Sequence, residues 1–320
     1  MTGTAALAQH ASSSEAGTGI PLALVGPTAA GKTEASIELA RRLGAEIVVV
    51  DSMTVYRGMD VGTAKPSMDQ QATVPHHLID VADPGEPFSV ARFRTLALEA
   101  LAGIRSRGRA SLLVGGSGLY FRAMVDDLEF PGTAPDLRRW LEAEAAVVGP
   151  ERLHDRLAGF DPDAAARIEP GNARRTVRAL EVAALTGRRF STFAEGWERY
   201  PADRIRAAGV LMPPEVLRSR IEDRVEGMLT RGLVDEVRTL LDRGAGGLVT
   251  ASQAIGYLEV AEHLAGRLTL SEARDRMVRR TKALARRQMA WFRRDPRIRW
   301  FRAGHRGATE LVDEIEEHLS

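Results

Sequence analysis

Cysteine is absent from all 320 residues. Disulfides, thiolate metal sites and cysteine nucleophiles are therefore excluded, and nothing points to an oxidising compartment. No run approaches the roughly 18 consecutive apolar residues of a membrane-spanning helix. The first 19 residues are rich in Ala, Ser, Thr and Gly but lack a basic start and a continuous apolar stretch. They read as a disordered lead-in, not a signal peptide. The expectation is a cytoplasmic protein that does not engage a membrane. An excess of charge of either sign is missing as well: 44 basic residues face 43 acidic ones, for a net charge of +1. No internal repeat is found, and no low-complexity segment beyond the lead-in. What remains is a chain long enough for one large domain or two moderate ones. Its 44% hydrophobic and 27% charged residues suit an ordinary globular protein.

The even balance conceals local asymmetry. Between Arg274 and Arg299 lie ten arginines and one lysine against Asp275 and Asp295, a net of +9. A second knot holds Arg174, Arg175, Arg178, Arg188 and Arg189. Such clusters inside a neutral chain are candidate footprints for a polyanion, with a solvated helix face as the alternative.

Ile20–Val25 is a short apolar run closed by Gly26, the pattern of a buried strand. Lys32–Leu43 has helical periodicity and stops at Gly44. Glu46–Val50 and Ala110–Val114 read as further strands, Phe88–Ile104 as a helix, and another helix starts near Ser117. Strands alternating with helices predict a parallel sheet with right-handed crossovers. The pattern changes at Pro131–Pro135. Helical segments follow at Asp136–Val148, Glu151–Leu157, Asp163–Ile168 and Asn172–Leu185, predicting a small all-helical insertion over 131–201. Ile205–Met212 resumes the strand pattern. Helices then dominate (Glu215–Thr230, Val234–Asp242, Tyr257–Ala265, Ser271–Phe292), with a last strand at Ile298–Phe301 and a last helix at Thr309–Leu319. The expected fold is an α/β core of residues 20–130 and 202–320, of the phosphate-loop NTPase-like type, with a helical C-terminal part.

Gly26-Pro27-Thr28-Ala29-Ala30-Gly31-Lys32-Thr33 fits G-x-x-x-x-G-K-[ST] in full, between a strand and a helix. Its glycines let backbone amides turn toward phosphate oxygens, the helix start adds a favourable dipole, Lys32 adds a charge, and the Thr33 hydroxyl can reach Mg²⁺. The motif predicts a bound di- or triphosphate and leaves the reaction open. Asp51 ends the second strand, where open α/β sheets gather their sites. A carboxylate there suits a base, a Mg²⁺ ligand or a turn cap. His76 and His77 invite a metal reading, but no third ligand has suggestive spacing.

With these motifs the chain resembles the bacterial tRNA dimethylallyltransferases (isopentenyl-diphosphate:tRNA transferases) from Pro21 to about Arg293. The resemblance is carried by Gly26–Thr33, Asp51–Tyr56, Gly62–Pro66, Pro75–Asp80, Leu113–Tyr120, Asn172–Glu181, Gln253–Tyr257 and Arg286–Arg293, in that order and spacing. Ala30 stands where the family usually has Ser, and Ser117 where it has Thr. The zinc finger common in eukaryotic members has no counterpart in a chain without cysteine.

The resemblance implies transfer of a dimethylallyl group from dimethylallyl diphosphate to the exocyclic N6 amine of the adenosine 3′ of the anticodon, with release of diphosphate. The phosphate loop then serves a leaving group. An adenine amine is a poor nucleophile, so a carboxylate that accepts its proton would help, and Asp51 is the candidate. Lys32, Thr33, the loop amides, Mg²⁺ and an arginine would stabilise the departing diphosphate. Arg220 and Arg224 share a helix face, and the resemblance favours Arg220. The alternative for Arg220 is a surface salt bridge with Glu222, Asp223 or Glu226. The target base must leave its stack, as enzymes acting on nucleobases require. The resemblance implies tRNA contacts at Asp51, Ser52, Met53 and Thr54, at Ser117, at Arg174, Arg175, Thr176, Val177 and Arg178, at Gln253, Ala254, Ile255, Gly256, Tyr257 and Leu258, and at Thr281, Lys282, Arg286, Arg287 and Gln288. The two basic clusters overlap two of these segments. Trp291 and Phe292 suit either stacking or a core. The family also suggests a monomer.

Two rivals share some of these features. A phosphate-loop kinase acting on a small molecule or nucleotide would use Gly26–Thr33 and Asp51 equally well, but leaves the Arg274–Arg299 helix and Gln253–Tyr257 without a role. A non-catalytic RNA-binding protein switched by nucleotide would give no prenylated product.

Overall fold

The structure, a computed structural model, describes residues 19–126, 128–243 and 254–320. Its frame is a six-stranded, all-parallel sheet of order β3-β2-β4-β1-β5-β6. The strands are β1 (Leu22–Val25), β2 (Ala45–Val50), β3 (His76–His77), β4 (Ala110–Gly115), β5 (Arg206–Leu211) and β6 (Ile298–Arg302). Every residue of β2 is buried. That follows from a parallel sheet covered on both faces, which needs unbroken rather than alternating apolar strands. Ala23, Val25, Val48, Val50 and Leu113 point to one core, with Phe93 and Ala97 of α3 (Val90–Ser106) and Phe121 of α4 (Gly118–Val125). Leu24, Ile47, Val49, Leu112 and Val114 point to the other, with Leu39 of α1 (Lys32–Arg42) and Ile315 of α13 (Val312–Leu319).

The chain divides into two compact units. One is built from the described residues up to Val125 together with Ala202–Ser320, and the other is Asp126–Pro201. The second unit begins upstream of the Pro131–Pro135 break. It holds α5 (Pro135–Val148), α6 (Pro150–Phe160), α7 (Pro162–Arg167) and α8 (Ala173–Thr186) around a core of its own that includes Leu141, Leu157 and Leu180. Proline stands at the start of α5, α6 and α7, where its missing N–H costs no helical hydrogen bond. In the first unit α9 (Pro214–Thr230), α10 (Leu233–Asp242), α11 (Tyr257–Leu264) and α12 (Leu270–Phe292) follow β5.

Among the described α-helices and strands, two are absent from the sequence reading: α2 (Met68–Thr73) and the edge strand β3. Helix α2 has six residues with none buried, so it carries no apolar stripe to betray it. A closed capping box at Ser67 and Gln70 starts it instead. Strand β3 is only two residues long and pairs with Ile47 and Val48. The metal reading of the paired histidines finds no support. His77 Nε2 lies 2.7 Å from the buried Glu46 carboxylate, and His76 Nδ1 lies 2.7 Å from the Val74 carbonyl. Among the described residues no His, Cys, Asp or Glu cluster of three or more is placed to hold a metal. The expected final helix begins as a 3-10 turn, Gly307–Leu311, and becomes α-helical only at Val312.

Candidate active site

The C-terminal ends of β1, β2 and β4 open onto a cavity of about 780 Å³. Beyond β1 the chain turns through Gly26–Thr33 into α1. Gly26 (φ 153°), Ala29 (65°) and Gly31 (78°) all have positive φ. At Gly31 a Cβ would also come within 3.2 Å of the Ala308 amide nitrogen, so glycine is required twice over. No side chain caps α1, so the amides of its first turn remain without helical acceptors.

The loop is tied down from behind by its carbonyls. Lys32 Nζ donates to the Pro27 carbonyl (2.7 Å), Arg220 Nε to that of Ala29 (2.8 Å), and the Ala308 amide to that of Ala30 (2.8 Å). From the front, Gln288 of α12 accepts the Thr28 N–H at 2.8 Å. The cradle for phosphate is thus assembled from α9, α12 and the turn before α13. Gly116, after β4, leaves room for Gln288: a Cβ there would collide with its side-chain amide.

Asp51 follows β2 on the cavity wall. Its Oδ1 accepts the backbone N–H groups of Met53 (2.7 Å) and Thr54 (3.4 Å), fixing the turn after the strand. Thr54 is buried on the same wall, and its hydroxyl has no hydrogen-bond partner among the described residues. Burial, and after it Arg224, brings the Lys32 ammonium down to about 7 against the opposing pull of Asp51 and Glu34. Burial also lowers Arg224, against the pull of Asp51 and Glu34. Lys32, Asp51 and Arg224 are therefore close enough to feel each other's charge.

The two arginines of α9 divide their work. Arg220 spends Nε on Ala29 and Nη1 on the His305 carbonyl (3.0 Å), bracing the phosphate loop. Its alternative carboxylate partners, Glu222, Asp223 and Glu226, take no part. Arg224 makes one long bond, 3.3 Å, to the Thr63 carbonyl and faces the cavity. Residues 60–67 also line the cavity, with the Thr63 carbonyl meeting Arg224. Lys65, only 3% exposed in its side chain, staples that segment through the Tyr56 carbonyl (2.9 Å), Asp60 (2.5 Å) and Asp80 (2.6 Å).

The remaining expected contacts separate into those with access and those without. Met53, Ala254, Ile255, Thr281 and Gln288 line the cavity. Leu258, Arg286 and Arg287 are exposed. Ser52 and Ser117 are half-buried, and the Ser117 amide donates to the Val50 carbonyl (3.4 Å). Gln253 lies outside the described residues. Others are engaged within the protein itself. Tyr257 is fully buried, and its hydroxyl donates to Glu236 at 2.6 Å. Gly256, with φ 104°, starts α11 and donates its N–H to buried Glu259 (2.8 Å). Lys282 is paired with Glu222 at 2.6 Å. In the second unit Thr176 and Val177 face the core. Arg178 holds the carbonyls of Pro131 (2.6 Å) and Gly132 (2.9 Å) and the Glu181 carboxylate (2.7 Å). Arg174 and Arg175 are exposed. Trp291 is 40% exposed while Phe292 is buried against Phe121.

The +9 segment is also less naked than its composition implies. Arg274, Arg276, Arg280, Lys282 and Arg297 pair with Glu226, Glu262, Glu259, Glu222 and Asp295. Arg279, Arg286, Arg287, Arg293 and Arg294 are exposed and enter no ion pair among the described residues. That concentrates the unbalanced charge on part of α12 and the turn after it.

The IPP transferase family model matches residues 54–295. The chain belongs to the IPP transferase family. It is 50% identical over 300 residues to the tRNA dimethylallyltransferase of Salinispora tropica, covering 94% of this chain and 93% of that one. It is 48% identical over 304 residues to that of Desulforudis audaxviator, covering 93% and 98%. Among solved structures it resembles the full-length tRNA isopentenylpyrophosphate transferase of Bacillus halodurans, at 42% identity and a TM-score of 0.67, covering 93% and 94% of the two chains. A eukaryotic dimethylallyltransferase acting on tRNA aligns with a TM-score of 0.74 at 26% identity, covering 92% of this chain and 75% of that one. Within this family the α/β sheet fold is that of a transferase, and the kinase alternative is not favoured.

Proposed function

We propose that the protein transfers the dimethylallyl group of dimethylallyl diphosphate to the N6 amine of the adenosine 3′ of the anticodon of tRNA and releases diphosphate. The observation that carries this is the mixed lining of the cavity. The phosphate loop, Lys32 and Arg224 line it, and so do the apolar Val61, Ala64, Met228, Ala254, Ile255 and Met277. A diphosphate suits the first set of groups and a short hydrocarbon the second. Asp51 stands at the sheet end of the same space.

The chemistry follows from these groups. The adenine amine attacks the first carbon of the allyl group, the bond from that carbon to the bridging oxygen breaks, and the electron pair leaves with diphosphate. The proton lost by the amine goes to Asp51, whose Oδ2 is not used by the turn. Lys32, Arg224 and the amides of the loop and of the first turn of α1 meet the charge that develops on the leaving group. Mg²⁺ fits here only as a partner of the substrate. The Thr33 hydroxyl would hold it together with phosphate oxygens, as this ion prefers. Bound there, it would neutralise the departing diphosphate. The exposed arginines of α12 supply phosphate contacts for the RNA. A cytoplasmic monomer is the setting we propose for it. No described helix is long and apolar enough to cross a membrane.

The test is direct. Incubate the protein with dimethylallyl diphosphate, Mg²⁺ and unmodified tRNA, digest the RNA, and look for prenylated adenosine by mass. Its absence, with phosphoryl transfer from ATP in its place, would return the protein to the kinase class.

A further inference from the structure

Glu236 has no place in the sequence motifs, yet it is among the most heavily used carboxylates of the first unit. It projects from α10 to the cavity wall. Its Oε2 accepts the amides of Asp60 (2.9 Å) and Val61 (2.7 Å). Its Oε1 accepts the amide of Gly62 (3.1 Å) and the hydroxyl of Tyr257 (2.6 Å). Tyr257 itself lies against Gly62 so closely that a Cβ there would fall 2.5–2.8 Å from the phenol ring and its oxygen. Burial, and after it Glu236, pushes the Tyr257 hydroxyl upward, so it stays a donor. Three consecutive backbone amides held by one side chain make a rigid arc. Val61 and Ala64, two of the apolar residues that line the cavity, are carried on this segment, while the phosphate loop is braced by other residues.

We infer that Glu236 and Tyr257 form a positioning clamp that sets the wall at residues 60–64 and so determines which hydrocarbon the site accepts. The inference rests on the proposed prenyl transfer. It makes Glu236 a positioning residue that touches neither substrate nor reacting atoms. It also gives the buried Tyr257 the task of locking the start of α11 to that wall.

The clamp should separate the two halves of the ligand. Glu236→Gln places an amide group where a carboxylate oxygen accepts N–H and O–H donors, and the arc loosens. Tyr257→Phe keeps the ring on Gly62 and removes one bond, so it tests the same idea gently. Binding of dimethylallyl diphosphate and of inorganic diphosphate is measured by calorimetry. The expected result is a Kd for dimethylallyl diphosphate raised about tenfold in Glu236→Gln and about threefold in Tyr257→Phe, with inorganic diphosphate within about twofold of the parent. Geranyl diphosphate should bind relatively better in Glu236→Gln than in the parent. Parallel weakening of both diphosphates would mean general loosening and overturn the clamp. Unchanged binding of both in Glu236→Gln would overturn it as well. A parent protein that binds no dimethylallyl diphosphate and modifies no tRNA would instead refute the proposed function, and the clamp with it.

Discussion

Replacing Asp51 by Asn separates the three roles a carboxylate at the end of β2 can have. The turn after the strand uses only Oδ1, which accepts from Met53 at 2.7 Å and Thr54 at 3.4 Å. Asn offers the same oxygen and caps about as well as Asp, so the structural cost should stay within about 0.5 kcal/mol. What Asn cannot do is take a proton at neutral pH. Loss of positioned base catalysis should lower the rate by about 10²–10⁴-fold, equivalent to roughly 2.7–5.5 kcal/mol. One indirect effect must be separated. Asp51 helps keep Lys32 protonated, so Asn in its place lowers Lys32 further and weakens the leaving-group side as well. Below pH 7 Lys32 carries its proton in the parent, so single-turnover transfer should be compared at about pH 6 and pH 8 across a Mg²⁺ titration. A deficit that persists at low pH and at every Mg²⁺ concentration fits the base. Recovery with added Mg²⁺ would make Asp51 a metal ligand. A parental rate in Asp51→Asn would refute the reasoning and leave Asp51 a cap.

Diphosphate binding should be strongest below pH 7 and fall as pH rises through the free-state value of Lys32, about 7, because the protein must then take up a proton to bind the anion; calorimetry in buffers of different ionisation enthalpy should show that uptake at pH 8, and Lys32→Arg should abolish it. Arg224→Ala should lower kcat/KM for prenyl transfer by about 10²–10³-fold with little change in melting temperature. Arg220→Ala, which frees the Ala29 and His305 carbonyls, should lower both activity and melting temperature, and identical behaviour of the two variants would contradict their division of work. Neutralising Arg286 and Arg287 to Gln should flatten the log–log salt dependence of tRNA binding by about 0.7 for each RNA phosphate that is no longer neutralised. The same change at the paired Arg274 and Arg276 should leave it nearly unaltered, and a binding assay between 50 and 300 mM salt, on the order of the physiological range, distinguishes the two pairs.

Most of the sheet is readable because a parallel, doubly covered strand is written as an apolar run, as in β1, β2, β4 and most of β5, whereas the edge strand β6 interleaves arginines with its apolar residues. The helices with an apolar stripe were equally plain. What stayed hidden has no apolar signature: β3 is two residues long, and α2 buries nothing and is marked only by its Ser67–Gln70 capping box. At the site, the phosphate loop and Asp51 announce themselves because their chemistry depends on neighbours in sequence. Glu236 does not, since its partners at residues 60–62 and 257 meet it only in the folded chain. Tyr257 and Arg178 show the converse. Both lie inside motifs and both hold the scaffold, Tyr257 through Glu236 and Arg178 through Pro131, Gly132 and Glu181.

The phosphate loop lies near the start of the chain, but what steadies it comes late. Its central strand β1 gains its neighbour β5 only after the Asp126–Pro201 unit has been made. Gln288 and Ala308, which grip Thr28 and Ala30, follow later still. During synthesis the loop therefore emerges long before it is braced. A nascent chain should acquire affinity for diphosphate only when its last thirty or so residues are free to dock, since a loop without its outside braces must spend binding energy on ordering itself. Prenyl diphosphate in the cell then meets a competent site only on finished molecules. Partial products, however many of the reactive side chains they carry, leave the substrate pool untouched.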